Sequence, residues 1–240
     1  MRKLVGLSVL AVGVSLFGAP AFAQDSEEPP TERPAGGAAP YGNIELGVRV
    51  GFGFPSGKVG GAFGVANSDL SDNVNGILPF TIDAGYRFND TVYLGLWGQY
   101  AFGFVNTDRN PICTQGIDCS VTDTRLGLNI HLHLAPGKPF DPWVGIGAGY
   151  EWFDVSASYG GASGDVTASG FEFVNFQLGG DIAATTNAAL GPFLEVSLGE
   201  YRNLSTSDGF STMDQSLTTK SIHAWIVVGL RAVFDPRAPR

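Results

Sequence analysis

Ile44 to Phe54 reads Ile-Glu-Leu-Gly-Val-Arg-Val-Gly-Phe-Gly-Phe, eleven residues in which apolar side chains alternate with charged residues or glycine. A helix would scatter Ile44, Leu46, Val48 and Val50 around its axis, whereas a strand, with period two, places them on one face. About 9–11 tilted strand residues cross the hydrocarbon core of a bilayer. A lone strand cannot do so, because its backbone groups would be unpaired in lipid. The segment predicts a membrane-spanning strand, and the rest of the chain must then close a barrel with it.

Met1 to Ala23 begins with Arg2 and Lys3, continues through the apolar run Leu4 to Phe17 and ends at Ala21-Phe22-Ala23. This is the pattern of a cleaved secretory signal, and it predicts a mature chain starting at Gln24. No cysteine stands near that site, so an N-terminal lipid anchor is not expected. Without Arg2 and Lys3 the chain carries 14 − 2 = 12 basic against 23 acidic residues, near −11. That balance gives no footing for nucleic acid. No later run approaches the roughly 18 apolar residues of a spanning helix. With 34 glycines, 12% aromatic and 15% charged residues, the composition suits an aromatic-girdled barrel better than the runner-up, a soluble secreted sandwich.

Residues 24–42, with Pro29, Pro30, Pro34 and Pro40 among four acidic residues, have no periodicity and predict a disordered linker. From residue 43 to Phe234 eight alternating segments follow: Ile44 to Phe54, Phe80 to Phe88, Val92 to Phe104, Arg125 to Leu134, Trp143 to Phe153, Phe173 to Ile182, Leu190 to Tyr201 and Ile222 to Phe234. The intervals after the first, third, fifth and seventh are long and polar. Those after the second, fourth and sixth are short, the first of them holding Asn89-Asp90, a hairpin signal. Even strand number with alternating short and long connections is the pattern of bacterial outer-membrane barrels, whose short turns are periplasmic. The expected architecture is an all-β, eight-stranded antiparallel up-and-down transmembrane β-barrel over residues 43–234, with a tail at 235–240 and both termini in the periplasm.

Parity assigns the faces. Uncharged residues such as Val48, Ile82, Leu96, Leu128, Ile146, Phe176, Val196 and Val228 fall on the lipid side. The opposite parity collects Glu45, Arg49, Asp83, Arg87, Arg125, Glu151, Asp181, Glu195 and Arg231, with His131 and His133, as a nearly balanced luminal charge network. Aromatic residues gather at strand ends: Phe52, Phe54, Phe102, Phe104 and Trp152 at one interface, Phe88, Trp143 and Phe234 at the other. Cys113 and Cys119, six positions apart in a loop-like stretch, predict a disulfide outside the membrane in an exported protein.

The signal, the eight-strand pattern and the final segment Trp225-Ile-Val-Val-Gly-Leu-Arg-Ala-Val-Phe234 resemble the small outer-membrane barrel families of the OmpA, OmpX and OmpW type. Pro142-Trp-Val-Gly-Ile-Gly-Ala-Gly-Tyr150 looks like a strand common in OmpW-like sequences. The resemblance implies outer-membrane lipid and lipopolysaccharide as surroundings and the barrel assembly machinery as a partner. It also implies that the last strand is the assembly signal, with Gly229, Ala232 and Phe234 in the matching places. The chain departs from that pattern by continuing through Asp235 to Arg240. An OmpA-like peptidoglycan-binding domain is not expected.

His131 and His133 could be read as a luminal metal or proton site. A metal wants three or four convergent ligands, and His223 is expected at the other end of the barrel, so two interior polar groups near the periplasmic mouth are the simpler reading. No metal and no cofactor is expected. Some eight-stranded outer-membrane barrels modify lipid A, but hydrolysis needs a histidine beside a serine with an orienting carboxylate. His223 with Ser221, Asp208 and Asp214 is the one cluster of that composition near the outer leaflet, and these serines and aspartates read more simply as loop residues. The expected function is a non-enzymatic scaffold with a largely plugged polar lumen. Its external loops would serve envelope integrity or meet an extracellular ligand. A narrow OmpW-like channel for small solutes is the alternative, and a lipid A-modifying enzyme ranks below it.

Overall fold

The computed structural model describes residues 43–61, 68–109, 113, 116–185 and 187–234. The signal expected at 1–23, the linker at 24–42 and the tail at 235–240 lie outside the described residues. Nine strands follow one another: β1 (Asn43–Gly57), β2 (Val74–Arg87), β3 (Val92–Val105), β4 (Asp118–His133), β5 (Phe140–Tyr159), β6 (Ala162–Ala183), β7 (Ala188–Ser207), β8 (Thr212–Ser216) and β9 (Ile222–Phe234). All pairings are antiparallel. Each strand from β1 to β7 pairs with its successor in the chain, β7 also pairs with β9, and β9 pairs back with β1. Eight strands thus form a closed ring, the up-and-down barrel expected from the alternation. Closure leaves the spanning strands without a free edge, as the bilayer requires. The short β8 lies outside the ring and, among the described residues, pairs with β7 alone.

The lipid-side parity holds around the ring. Val48, Ile82, Leu96, Leu128, Ile146, Phe176 and Val228 are all exposed. Phe54, Phe102, Phe104 and Trp152 are also outward, toward the end of the barrel that carries the long connections. Trp143 corrects the girdle reading. It is 1% exposed and points inward, while Phe140, 52% exposed, holds the nearby outward position. The reason is parity: Trp143 precedes Val144, whose side chain faces lipid.

Glycine on the inward parity makes room for rings. A Cβ on Gly95 would collide with the Tyr93 hydroxyl, and one on Gly127 would stand 2.6 Å from Trp97. These close approaches explain how an eight-stranded ring accommodates interior aromatic side chains.

The largest departure from the sequence reading lies between β5 and β6. Residues 154–172, expected as a long polar loop, are strand apart from Gly160 and Gly161, both with positive φ (60° and 88°), which turn the chain. Two such residues match the twist of a tight hairpin. β6 runs 22 residues, about twice what crosses a bilayer, so the hairpin continues past the membrane belt. There the outward row turns polar, with Asp154, Ser156 and Ser158 on β5 and Ser163, Asp165 and Thr167 on β6, while Val155, Val166 and Ala168 on the other parity pack in or against the buried interior cluster. The apolar lipid-facing row that marks a spanning strand is therefore lost. The β7–β8 hairpin stands beside it, pairing Asn203–Ser207 with Thr212–Ser216. Cys113, in the β3–β4 connection, is joined by a disulfide to Cys119 at the start of β4.

Candidate functional site

All nine charged residues read as luminal, Glu45, Arg49, Asp83, Arg87, Arg125, Glu151, Asp181, Glu195 and Arg231, point into the ring. Arg87, at 20% side-chain exposure, is the most open of them. They fall into three layers between the end that holds the start of β1 and the end of β9, here the terminal end, and the end that holds the long hairpins.

At the terminal end, Arg231 bridges Asp181 and Glu45, with Nη2 2.7 Å from Glu45. Arg87 also reaches Glu45, and its Nη2 lies 3.0 Å from His133 Nε2. Guanidinium nitrogens only donate, so His133 Nε2 accepts and Nδ1 carries the hydrogen given to Asp141 at 2.8 Å. Arg231 also lies over the Trp143 ring, 4.8 Å from its centroid.

In the middle layer Arg49 makes a two-pronged pair with Asp83, at 2.9 and 3.0 Å, and also meets Glu195. Asn129 donates to Asp83 at 3.2 Å. His131 stacks between Tyr93 and Trp143, with centroids 4.9 and 4.7 Å away, and its Nε2 lies 2.8 Å from Gln177. From Gln177 the hydrogen bonds continue through Asn175 to Glu172.

The third layer centres on Arg125. Its guanidinium stands 2.7 Å from Asp123, 3.2 Å from Glu172 and 3.6 Å from Glu151. Glu151 accepts from the Tyr201 hydroxyl at 2.7 Å and Trp225 Nε1 at 3.0 Å, and lies 2.8 Å from His223 Nε2. Above it the interior is apolar. Val59, Leu70, Val74, Ile77, Phe153 and Leu217 join Trp225 in one buried cluster. Val59, Leu70 and Leu217 come from the connections at the hairpin end, which fold inward over the ring.

Three carboxylates escaped the sequence reading. Asp123, Asp141 and Glu172 are buried in the lumen, yet they sit in stretches expected to be loop. The described interior therefore holds eight buried carboxylates, Glu45, Asp83, Asp123, Asp141, Glu151, Glu172, Asp181 and Glu195, against four arginines, and the expected near balance of charge is not met. The apolar cluster also corrects the expectation of a polar lumen throughout. Extending the period-two pattern backwards from Arg125 would have found Asp123, but nothing local marks Leu70 or Leu217 as interior.

Of the residues weighed for hydrolysis, neither Asp208 nor Asp214 is engaged with His223. His223 is 1% exposed and engages Glu151. Asp208 caps its own hairpin, accepting from the backbone of Ser211 and Phe210. Asp214 sits on β8, opposite Ser205. Gly229 of the final strand is packed tightly, since a Cβ there would collide with the Val50 carbonyl oxygen. Ala232 and Phe234 face outward.

Two solved structures share this architecture. A major outer membrane protein from Thermus thermophilus superposes with a TM-score of 0.52 at 10% identity, over 81% of this chain and 98% of that one. Outer membrane protein AlkL, solved in DMPC bilayers, superposes with a TM-score of 0.51 at 14% identity, over 90% of this chain and 100% of that one. The fold is that of a small outer-membrane β-barrel. No protein-family model matches the chain, and no characterised protein matches it in sequence.

Chemically, the barrel interior is a bonded filling. Its histidine–carboxylate pairs are His133–Asp141 in the layer at the mouth and His223–Glu151 in the third layer. Among the described residues no group of His, Cys, Asp and Glu converges as metal ligands do.

Proposed function

We propose that the chain is a non-enzymatic scaffold of the bacterial outer membrane, with its lumen closed, its termini in the periplasm and its hairpins outside the cell. The observation that carries the reading is the filled interior: three bonded charged layers beneath an apolar cluster that spans the hairpin end of the ring. An eight-stranded ring has room inside for side chains or one small ligand, and here side chains occupy it. Catalysis is disfavoured because His223, the histidine nearest the hairpin end, is 1% exposed and engaged by Glu151. The hairpins β5–β6 and β7–β8 supply the surface for envelope contacts or an extracellular ligand. Tyr159 and Phe210 are exposed near their tips, and β8 pairs on one side only among the described residues. Such an edge can add a further strand. Lipid and lipopolysaccharide surround the wall, and the assembly machinery reads β9 through Gly229, Ala232 and Phe234.

Single-channel recording on refolded protein in planar bilayers tests the closed lumen. Little steady conductance is expected. A large, stable, voltage-independent conductance would replace the scaffold by a pore. Protease added to intact cells should cleave the Ser207–Thr212 tip, and its protection would reverse the orientation.

A further inference from the structure

The outer wall of the barrel carries a shallow, open concavity among its membrane-facing residues, of about 710 Å³. Two rows of the pairing register explain it. In one, Ile82, Gly98 and Leu126 are neighbours across β2, β3 and β4; in the next, toward the hairpins, stand Phe80, Tyr100, Thr124 and Trp152. Gly98 and Thr124 form a low floor between larger walls, Ile82 and Tyr100 on one side and Leu126 and Trp152 on the other.

Packing does not require this glycine. A Cβ on Gly98 would meet only Leu126 Cδ1, at 3.9 Å, whereas one on Gly95 or Gly127 would collide with a ring. Glycine weakens a strand interior, so at Gly98 the open space itself is the distinguishing property.

We propose that this groove holds one acyl chain of a membrane lipid from the leaflet on the hairpin side. Trp152 and Tyr100 are amphipathic rings of the kind that sit at headgroup depth, and Ile82 and Leu126 continue the groove toward the uncharged middle of the belt. The groove thus runs from headgroup depth inward, as an acyl chain does. A second copy of the barrel suits it poorly. The outside of a barrel is convex and cannot fill a concavity one strand wide, and a stable interface needs about 800 Å² from each partner. The proposal uses the membrane placement given under the proposed function but does not depend on whether the lumen conducts.

Trp152 provides the test, because Trp97, Trp143 and Trp225 are buried inside the ring. The full chain refolded in detergent micelles is titrated with a phosphatidylcholine brominated on its acyl chain, and tryptophan quenching is followed. Saturation near one lipid per barrel is expected. Gly98→Leu should raise the lipid needed by about tenfold, equivalent to ~1.4 kcal/mol, as should Thr124→Leu. Ala84→Leu, an enlargement elsewhere on the lipid face, should leave the titration unchanged. Heat-modifiable gel mobility confirms folding, and Thr124→Leu carries the test if Gly98→Leu does not fold. Unsaturable quenching, or identical titrations in all four proteins, would overturn the proposal. So would a wild-type dimer in sedimentation that Gly98→Leu converts to monomer, because the occupant would then be a second copy.

Discussion

Val48 is 54% exposed on the outer wall although its neighbours in sequence include a buried arginine, and the contrast sets what each position tolerates. An arginine on the lipid face near the midplane costs about 2–4 kcal/mol. Val48→Arg should lose that much in denaturant titrations of vesicle-inserted protein, while Thr218→Arg, on the exposed connection before β9, should stay within about 0.5 kcal/mol. Equal losses would reverse the faces. Inside, Arg125 is, among the described residues, the sole arginine within ion-pair reach of Asp123, Glu151 and Glu172. Removing one partner from a buried pair costs about 3–5 kcal/mol, so Arg125→Ala should fall in or above that range. Arg87→Ala should cost less, because Arg87 lies at the mouth, where water can replace it. A larger loss for Arg87→Ala in the same titration would contradict the layered interior.

At the scale of elements, the hairpins divide into those fixed by packing and those fixed locally. The β2–β3 turn is local: Asn89 Oδ1 accepts from the backbone of Thr91 and Val92 at 2.9 and 2.8 Å. The β7–β8 tip uses the same device. Asp208 accepts from the backbone N–H groups of Ser211 and Phe210, which hold its carboxyl below the usual carboxylate range. A lowered value stabilises the tip above the unfolded pKa, about 3.9, and the support is lost as pH falls through the folded value. Hydrogen exchange at Ser211 and Phe210 should therefore quicken on acidification below pH ~4 relative to the other exposed turns. Asp208→Ala should show the faster exchange already at neutral pH and no further acid response. The outer half of the long β5–β6 ladder was illegible as strand because its outward row turns polar past the membrane, with Asp154, Ser156 and Ser158, while Val155, Val166 and Ala168 pack in or against the interior cluster, so no lipid-facing apolar row marks it.

For the whole molecule, closure is redundant. The apolar cluster and the charged layers block the lumen at different depths, so breaching one leaves the other. Leu217→Ser and Arg87→Ala, singly or together, should keep conductance near the wild-type level in single-channel records, because the Arg49 and Arg125 layers stay closed between them. Steady conductance from either single substitution would place the whole barrier in one layer. The carboxylate excess bears on the same point, since acids that share Arg125 depend on one cation and on neutral donors such as Tyr201 and Trp225.

The sequence by itself determined the ring: eight alternating segments, their antiparallel order, the lipid-facing set around Val48 and Leu128, and the inward parity of Glu45 through Arg231. Period two is a local property of strands, and a membrane on one side writes it directly into neighbouring residues. Tertiary structure decided the rest. Which carboxylates share Arg125, how His133 is held between Arg87 and Asp141, and that Leu70 and Leu217 fold inward over Trp225 all depend on contacts between residues far apart in the chain. The groove at Gly98 is likewise invisible along β3, because its walls come from β2, β4 and β5 and exist only once the register has set those strands side by side.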